Sequence, residues 1–462
     1  MLNLVPSQIA RIVTGQAFGS DDRPVSGAVS DSRLVRPGSL FVALRGERTD
    51  GHDYANQALA AGASAILTEE YIDGLSPQIV VEDCRKALAE LAQFQLQRYP
   101  VRIIGITGSM GKTCTKDLTA SVLSQRFSVH KSEGNRNTEV SLPMTIFDLE
   151  PHHQVAVLEM GMVAQGDIAE LCAIAPPDLA IICNILEVHL ERFNSIDEIA
   201  DTKGEIFQAL SSKGIALVNN DDPRVVAQSR KALGRKVSYG LTHQADMMAT
   251  DICSHGIEGS TFSLIFPDGA QQVIHLSLPG VHMVNNALPA ALAGHIMGMT
   301  PVEIACGLSQ ATLSDQRLHI RELAKGITLV DDSYNSNPYS AEAALRLVAD
   351  IRQERPLFIV LGDMLELGEH SRTAHLKVGR LVADLHPDFV LTRGELSALI
   401  GKEAANHGMP EERVQHFTDN EETLGGLREV LVPGALVLIK GSRGMMMERI
   451  VEGLLTDTLR NV

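Results

Sequence analysis

One hexapeptide constrains this chain more than any other stretch. Gly108-Ser109-Met110-Gly111-Lys112-Thr113 lies between the apolar, β-branched run Val101–Thr107 and a helical pattern that starts near Cys114. A strand, a glycine-rich turn and a helix in that order turn backbone N–H groups and the positive end of a helix towards an anion. Lys112 adds a cation for the outer phosphates of a nucleotide, and Thr113 adds a hydroxyl for Mg²⁺. A full phosphate-binding loop would carry glycine at position 106, where Ile106 stands with Gly105 one place earlier, so the motif is a shortened variant. An ordinary glycine-rich turn before a helix is the alternative reading.

Around this motif, short apolar runs alternate with helix-like segments from about Val101 onward, which predicts βαβ units and a mostly parallel sheet. The runs end in polar residues: Val155–Leu158 at Glu159, Leu179–Cys183 at Asn184, and Ile215–Val218 at Asn219-Asn220-Asp221-Asp222. A second series follows, with Thr328–Val330 running into Asp331-Asp332-Ser333-Tyr334-Asn335, Leu357–Leu361 into Gly362-Asp363-Met364, and Leu436–Ile439 into Lys440-Gly441-Ser442-Arg443. Ligands of open α/β sheets bind outside the carboxyl ends of the strands. Two such series therefore suggest two α/β domains facing one site. Residues 1–99 read differently, with polar clusters at Asp31-Ser32-Arg33 and Asp50-Gly51-His52-Asp53 and an Ala-rich stretch, Ala55–Ala65, expected to be helical. Tyr99-Pro100 marks one boundary, because a residue before proline avoids the helix. A second falls near Thr312–Gln316, giving expected domains at 1–99, 100–313 and 314–462.

Length agrees with three domains, since 462 residues exceed what one core of about 100–200 residues accommodates. A formal charge of -17 and the absence of Trp argue against a nucleic-acid surface. Six cysteines show no CxxC pair and no zinc or disulfide spacing, so free, mostly buried thiols are expected. No basic, apolar leader opens the sequence, and no apolar run approaches the ~18 residues of a membrane span. The expected location is the cytosol.

Mg²⁺ bound with ATP needs ligands beyond the triphosphate. Glu159, at a strand end, is a candidate. His189 follows the next strand and, taken alone, reads as a hydrogen-bonded loop histidine rather than a ligand. Lys203, in Thr202-Lys203-Gly204-Glu205, reads by itself as a surface lysine on a helix.

Taken together, Gly105 to Thr113, Gly134-Asn135-Arg136-Asn137-Thr138, Leu158-Glu159-Met160-Gly161-Met162 and His189 with Lys203-Gly204-Glu205 resemble the Mur ligases, the ATP-dependent amino-acid ligases of bacterial peptidoglycan synthesis. The resemblance runs from Asp31 to Arg443. Asp332 to Pro338, Gly362 to Gly368 and Lys440 to Met445 are most similar to the member that joins D-Ala-D-Ala to UDP-N-acetylmuramoyl-tripeptide. An Asp-Asn-Pro-Arg motif, expected in the ligase adding the third residue, is absent. A folylpolyglutamate synthase-like ligase, an ATP hydrolase without ligase activity and an inactive scaffold are the rival readings.

The resemblance implies an α/β fold of three domains: a small N-terminal substrate domain, a central P-loop ATPase domain on a parallel sheet, and a C-terminal Rossmann-like domain. It further implies that Gly108, Ser109, Met110, Gly111, Lys112 and Thr113 hold the triphosphate, with Asn286 at the adenine, Asp332 at the ribose and Arg317 reaching the phosphates. Thr113, Glu159 and His189 would hold two Mg²⁺ ions, and Lys203 would be carbamylated. Lys112, Lys203, His189 and Arg317 would thus carry the catalysis. Ser32 and Arg33 would meet the UDP end of the substrate, Asn135, Asn137 and Thr138 its path through the centre, and Asn335 and Asn337 the dipeptide. For Asn286, Asp332 and Arg317 the alternatives are a helix cap, a turn anchor and a surface ion pair. A monomer is expected. Arg317 and Asp332, which lie beyond the second boundary, need the third domain closed onto the second to reach a nucleotide held by Lys112; whether the resting enzyme is open or closed is not readable from the sequence.

Overall fold

The structure, a computed structural model, describes residues 2–19, 23–46, 49–188 and 190–460. Its strands form three sheets. The first has five strands in the order Gln16–Phe18, Gln78–Val80, Ala65–Thr68, Ser39–Val42, Gly27–Val29, and only the Gln16–Phe18 edge is antiparallel. The Ala-rich stretch is shorter as a helix than expected. Its helix covers Ala55–Ala60, after which Gly62 takes φ +103° and Ala65 opens a strand. Only glycine adopts that backbone cheaply, so position 62 ends the helix, and the branched Ile66 suits the strand beyond it.

The second sheet has nine strands, and Arg102–Thr107 lies inside it between Val155–Glu159 and Leu179–Ile182, parallel to both. Val155–Glu159 is buried on both faces: Val155 and Val157 enter one core, Ala156 and Leu158 the other. Double burial explains why such strands read as continuous apolar runs. Beyond Ile215–Asn219, Arg235–Gly240 and Met247–Ser254, the sheet ends in two antiparallel strands, Ser260–Ile265 and Gln271–Leu276. One core continues from the first sheet's helix Cys84–Arg98 onto a face of this second sheet, through Leu88, Leu91 and Phe147.

The third sheet places Thr328–Asp332 beside Leu436–Lys440, which lies beside Leu357–Gly362, all parallel. In this register Asp332 faces Lys440, so two polar strand ends meet. Among the described residues no helix is long and apolar enough to cross a membrane. All six cysteines are free, and Cys84, Cys114, Cys172 and Cys183 are buried.

Candidate active site

Helix Lys112–Leu123 begins directly at the end of the glycine-rich turn. Gly111 has φ +78°, and a Cβ there would come 2.5 Å from Asn286 Oδ1. The turn therefore requires glycine for both backbone and space. Asn184 clamps the turn: its backbone carbonyl accepts from Ser109 N–H at 3.0 Å, its Oδ1 from Met110 N–H at 2.9 Å, and its Nδ2 donates to the Met110 carbonyl at 3.1 Å. The N–H groups of Ser109 and Met110 are thereby occupied. The first N–H groups of the helix, from Lys112 onward, have no intrahelical acceptor and present a site for an anion.

Lys112 Nζ donates to the Gly108 carbonyl at 2.8 Å, folded back over the turn. Burial lowers its pKa, and the nearby Arg317 lowers it further. Thr113 Oγ1 donates to Glu159 Oε2 at 2.9 Å, while Asn137 Nδ2 donates to Glu159 Oε1 at 2.8 Å. Hard oxygen donors thus converge at the foot of the turn, the chemistry that suits Mg²⁺ alongside phosphates. His189 lies outside the described residues.

A cavity of about 330 Å³ unites residues from the second and third sheets. Its wall includes Ser109, Met110, Gly111, Lys112, Thr113, Asn135, Asn137, Thr138, Glu159, Asn286, Arg317, Asp332, Asn335 and Asn337. Arg317 and Asp332 share this cavity with Lys112, with the third sheet closed onto the second. Cys114 also lines it, with burial pushing its thiol up to about 12.

The surroundings decide several open alternatives. Asn286 is not a helix cap, because it sits inside helix Val281–Ile296, whose cap position is Gly280. Asp332 is not the turn anchor; its neighbour Asp331 accepts from both the N–H and the hydroxyl of Ser333. Asp332 instead holds the Lys440 ammonium and accepts from Leu318 N–H at 3.2 Å. Arg317 stacks on the Tyr334 ring at 4.1 Å. Asn337 caps helix Pro338–Arg352 through its Oδ1, and Asn335 Oδ1 accepts from Ser336 N–H.

Lys203 is not a surface residue. It is 2 % exposed in helix Ile196–Gln208, and among the described residues no hydrogen bond or ion pair reaches its ammonium. Burial drives its pKa well below the ordinary lysine range, and Lys112 adds repulsion. Ser32 and Arg33 lie outside the cavity, in a 3₁₀ turn of the N-terminal region where Arg33 pairs with Asp31. Tyr334, Lys440 and Asn184 had no role assigned from sequence. Their positions at strand ends were the available signal, but their partners lie far along the chain.

The segments of this architecture match known families in order. Residues 24–96 match the Mur ligase family catalytic domain, 106–294 the Mur ligase middle domain, and 316–443 the Mur ligase glutamate ligase domain. A Bacillus subtilis (strain 168) protein named UDP-N-acetylmuramoyl-tripeptide–D-alanyl-D-alanine ligase is 35% identical, covering 99% of this chain and 100% of the relative. The chain belongs to the Mur ligase family. Solved Mur ligases agree with this fold: a crystal structure of MurF from Acinetobacter baumannii superposes with TM-score 0.87 at 29% identity, covering 98% of this chain and 99% of that one. MurF ligase from Thermotoga maritima, crystallised in complex with ADP, gives 0.80 at 29% identity over 96% and 100%.

Proposed function

We propose that this Mur ligase uses ATP to join UDP-N-acetylmuramoyl-tripeptide to D-alanyl-D-alanine. The observation that carries the reading is the single cavity where Lys112, Thr113 and Glu159 meet Asn286, Arg317 and Asp332. The full-length likeness to the Bacillus subtilis ligase supports the choice of substrates.

A carboxylate is a poor acyl donor because its leaving group would be oxide. In the proposed first step, a tripeptide carboxylate oxygen attacks the γ-phosphorus, the bond to the ADP oxygen breaks, and an acyl phosphate forms. The D-alanyl-D-alanine nitrogen then attacks the acyl carbon, loses a proton, and phosphate leaves as the amide forms. Lys112 and Arg317 offset charge on the transferring phosphoryl group, the main service a protein gives such chemistry. The Thr113 hydroxyl and Glu159 carboxylate, with His189, would hold Mg²⁺, which supplies further charge neutralisation across the phosphates. Two ions are proposed.

Asn286 would meet the adenine. Asp332 would meet the ribose; a carboxylate offers about four acceptor positions, and its two bonded partners leave room. Asn135, Asn137 and Thr138 would guide the tripeptide, with Ser32 and Arg33 at the UDP end. Asn335 and Asn337 would serve the dipeptide through groups their local bonds leave over. A carbamate on Lys203 would turn a buried amine, whose ammonium form burial and Lys112 both disfavour, into an anion. The proposed domains are 1–99, 100–313 and 314–462, in a monomeric cytoplasmic enzyme.

Phosphate release measured over a matrix of UDP-muramyl peptides and amines tests the assignment. D-Ala-D-Ala with the tripeptide acceptor should drive release, while D-Glu, L-Lys and meso-diaminopimelate with their own acceptors should not. Reaction of diaminopimelate or lysine with the dipeptide-bearing acceptor, and none with D-Ala-D-Ala, would move the chain to the preceding ligation. ATP cleavage independent of any UDP-muramyl peptide would make it a hydrolase.

A further inference from the structure

Five residues into the phosphate-loop helix, Asp117 is 2 % exposed and has no part in the chemistry above. Its Oδ2 accepts from the Ser314 N–H at 2.9 Å and from the Ser314 hydroxyl at 2.7 Å. Its Oδ1 accepts from Lys131 Nζ at 2.6 Å and lies 3.5 Å from Lys116 Nζ. Lys116, fully buried, donates in turn to the Gly134 carbonyl at 3.2 Å. Consecutive side chains on one turn of helix therefore hold two segments: the linker into the third sheet, and the loop that carries Asn135 and Asn137. Burial alone would raise the Asp117 carboxyl, but Lys116, Lys131 and Ser314 outweigh it and hold its pKa below the ordinary value.

Beyond Ser314 the linker is bent sharply. Gln316 and Leu318 have φ of 63° and 49°, left-handed values unfavourable for residues with a Cβ, and Arg317 stands between them. Such backbone persists where its surroundings over-determine it. Downstream, Leu318 N–H donates to Asp332 at 3.2 Å and Tyr334 N–H to the Gln316 carbonyl at 3.3 Å. Upstream, the fixing contact is Asp117 with Ser314.

We infer that Asp117 is a positioning residue: by clamping Ser314 it ties the interdomain linker to the phosphate-binding helix and sets where Arg317 stands over the nucleotide. Lys112 and Thr113 begin the same helix, so the reach of Arg317 is referenced to the body that holds the phosphates. The inference rests on the proposed action of Arg317 on those phosphates.

The test compares Asp117→Ala, Ser314→Ala, Arg317→Ala and the Asp117→Ala/Arg317→Ala double variant of the full chain. It reads kcat and KM for each substrate by phosphate release, ATP affinity by calorimetry, and melting. A misplaced catalytic group costs rate more than binding, so Asp117→Ala should lose about tenfold or more in kcat while its ATP affinity stays within about threefold. Both changes act through one arginine, so the double variant should be no slower than Arg317→Ala. An impaired Arg317→Ala beside a parent-like Asp117→Ala overturns the inference alone, as do losses that multiply in the double variant. A parent-like Arg317→Ala overturns the arginine's role and the inference with it. Should Asp117→Ala fail to fold, Ser314→Ala, which removes one donor, must show the same kcat-selective loss at about threefold; unchanged kcat there overturns the inference.

Discussion

The Arg317 guanidinium lies 4.1 Å from the centroid of the Tyr334 ring, and Arg443 approaches the same ring at 5.5 Å. A cation over an aromatic face gains about 0.5–2 kcal/mol, depending on how dry the site is. Tyr334→Phe keeps the ring and should retain kcat within about twofold, whereas Tyr334→Ala should lower it roughly threefold to thirtyfold. Steady-state rates at saturating substrates check this, and equal rates for Ala and Phe would deny the ring a role.

Lys112 bonds only the Gly108 carbonyl among the described residues and packs no core. Lys112→Ala should therefore fold like the parent by circular dichroism and melting, yet lose about 10²–10³-fold or more in turnover, the usual cost of removing one preorganised charge stabiliser. Turnover within a few-fold of the parent would remove the loop from the chemistry.

Lys203 combines deep burial with a pKa far below the ordinary lysine range. Its free amine can attack CO₂ and release a proton, leaving an anionic carbamate. Mass measured under non-denaturing, CO₂-equilibrated conditions should show one added CO₂. Lys203→Ala should be nearly inactive and regain rate with a small carboxylic acid. An active enzyme with a bare amine at this position would oppose the carbamate.

Asp221 provides a pH test of stability. Burial works to raise its carboxyl, but the Leu241 N–H, the Thr242 hydroxyl and further donors at 242 and 243 hold it down to about 2, below 3.8. A depressed carboxyl contributes stability that is present above the unfolded value and lost as pH falls through the folded one. Asp221→Asn should thus cost about 1 kcal/mol at neutral pH, allowing for solvent screening, and progressively less between pH 3.8 and about 2. Urea titrations at several pH values measure the difference, and a gap that widens on acidification would contradict the assignment.

Much of this architecture was legible because it is local. Gly108 to Thr113 spell a strand, turn and helix in one short stretch, and polar residues mark strand ends at Glu159, Asp332 and Lys440. Ala55–Ala65 misled because alanine composition favours helix while one glycine's backbone angle ends it. The antiparallel strands Ser260–Ile265 and Gln271–Leu276 alternate more buried and less buried residues, a signal weaker than the continuous apolar runs of the parallel strands. Asp117 and Tyr334 were unreadable for a different reason. Their partners, Ser314 and Arg317, are distant from Asp117 in the chain or meet Tyr334 only through a bent linker, and neither spacing nor residue type reports such meetings.

The buried thiol of Cys114 in the cavity wall bears on inhibitor chemistry. With a pKa of about 12, its nucleophilic thiolate form is roughly one part in 10⁵ at neutral pH. An acrylamide or chloroacetamide built onto a nucleotide mimic would sit beside sulfur and still react slowly. Reversible ligands that exploit the Arg317–Tyr334 stack have the better foothold, and oxidants that silence cysteine enzymes through an exposed thiolate should leave this thiol untouched.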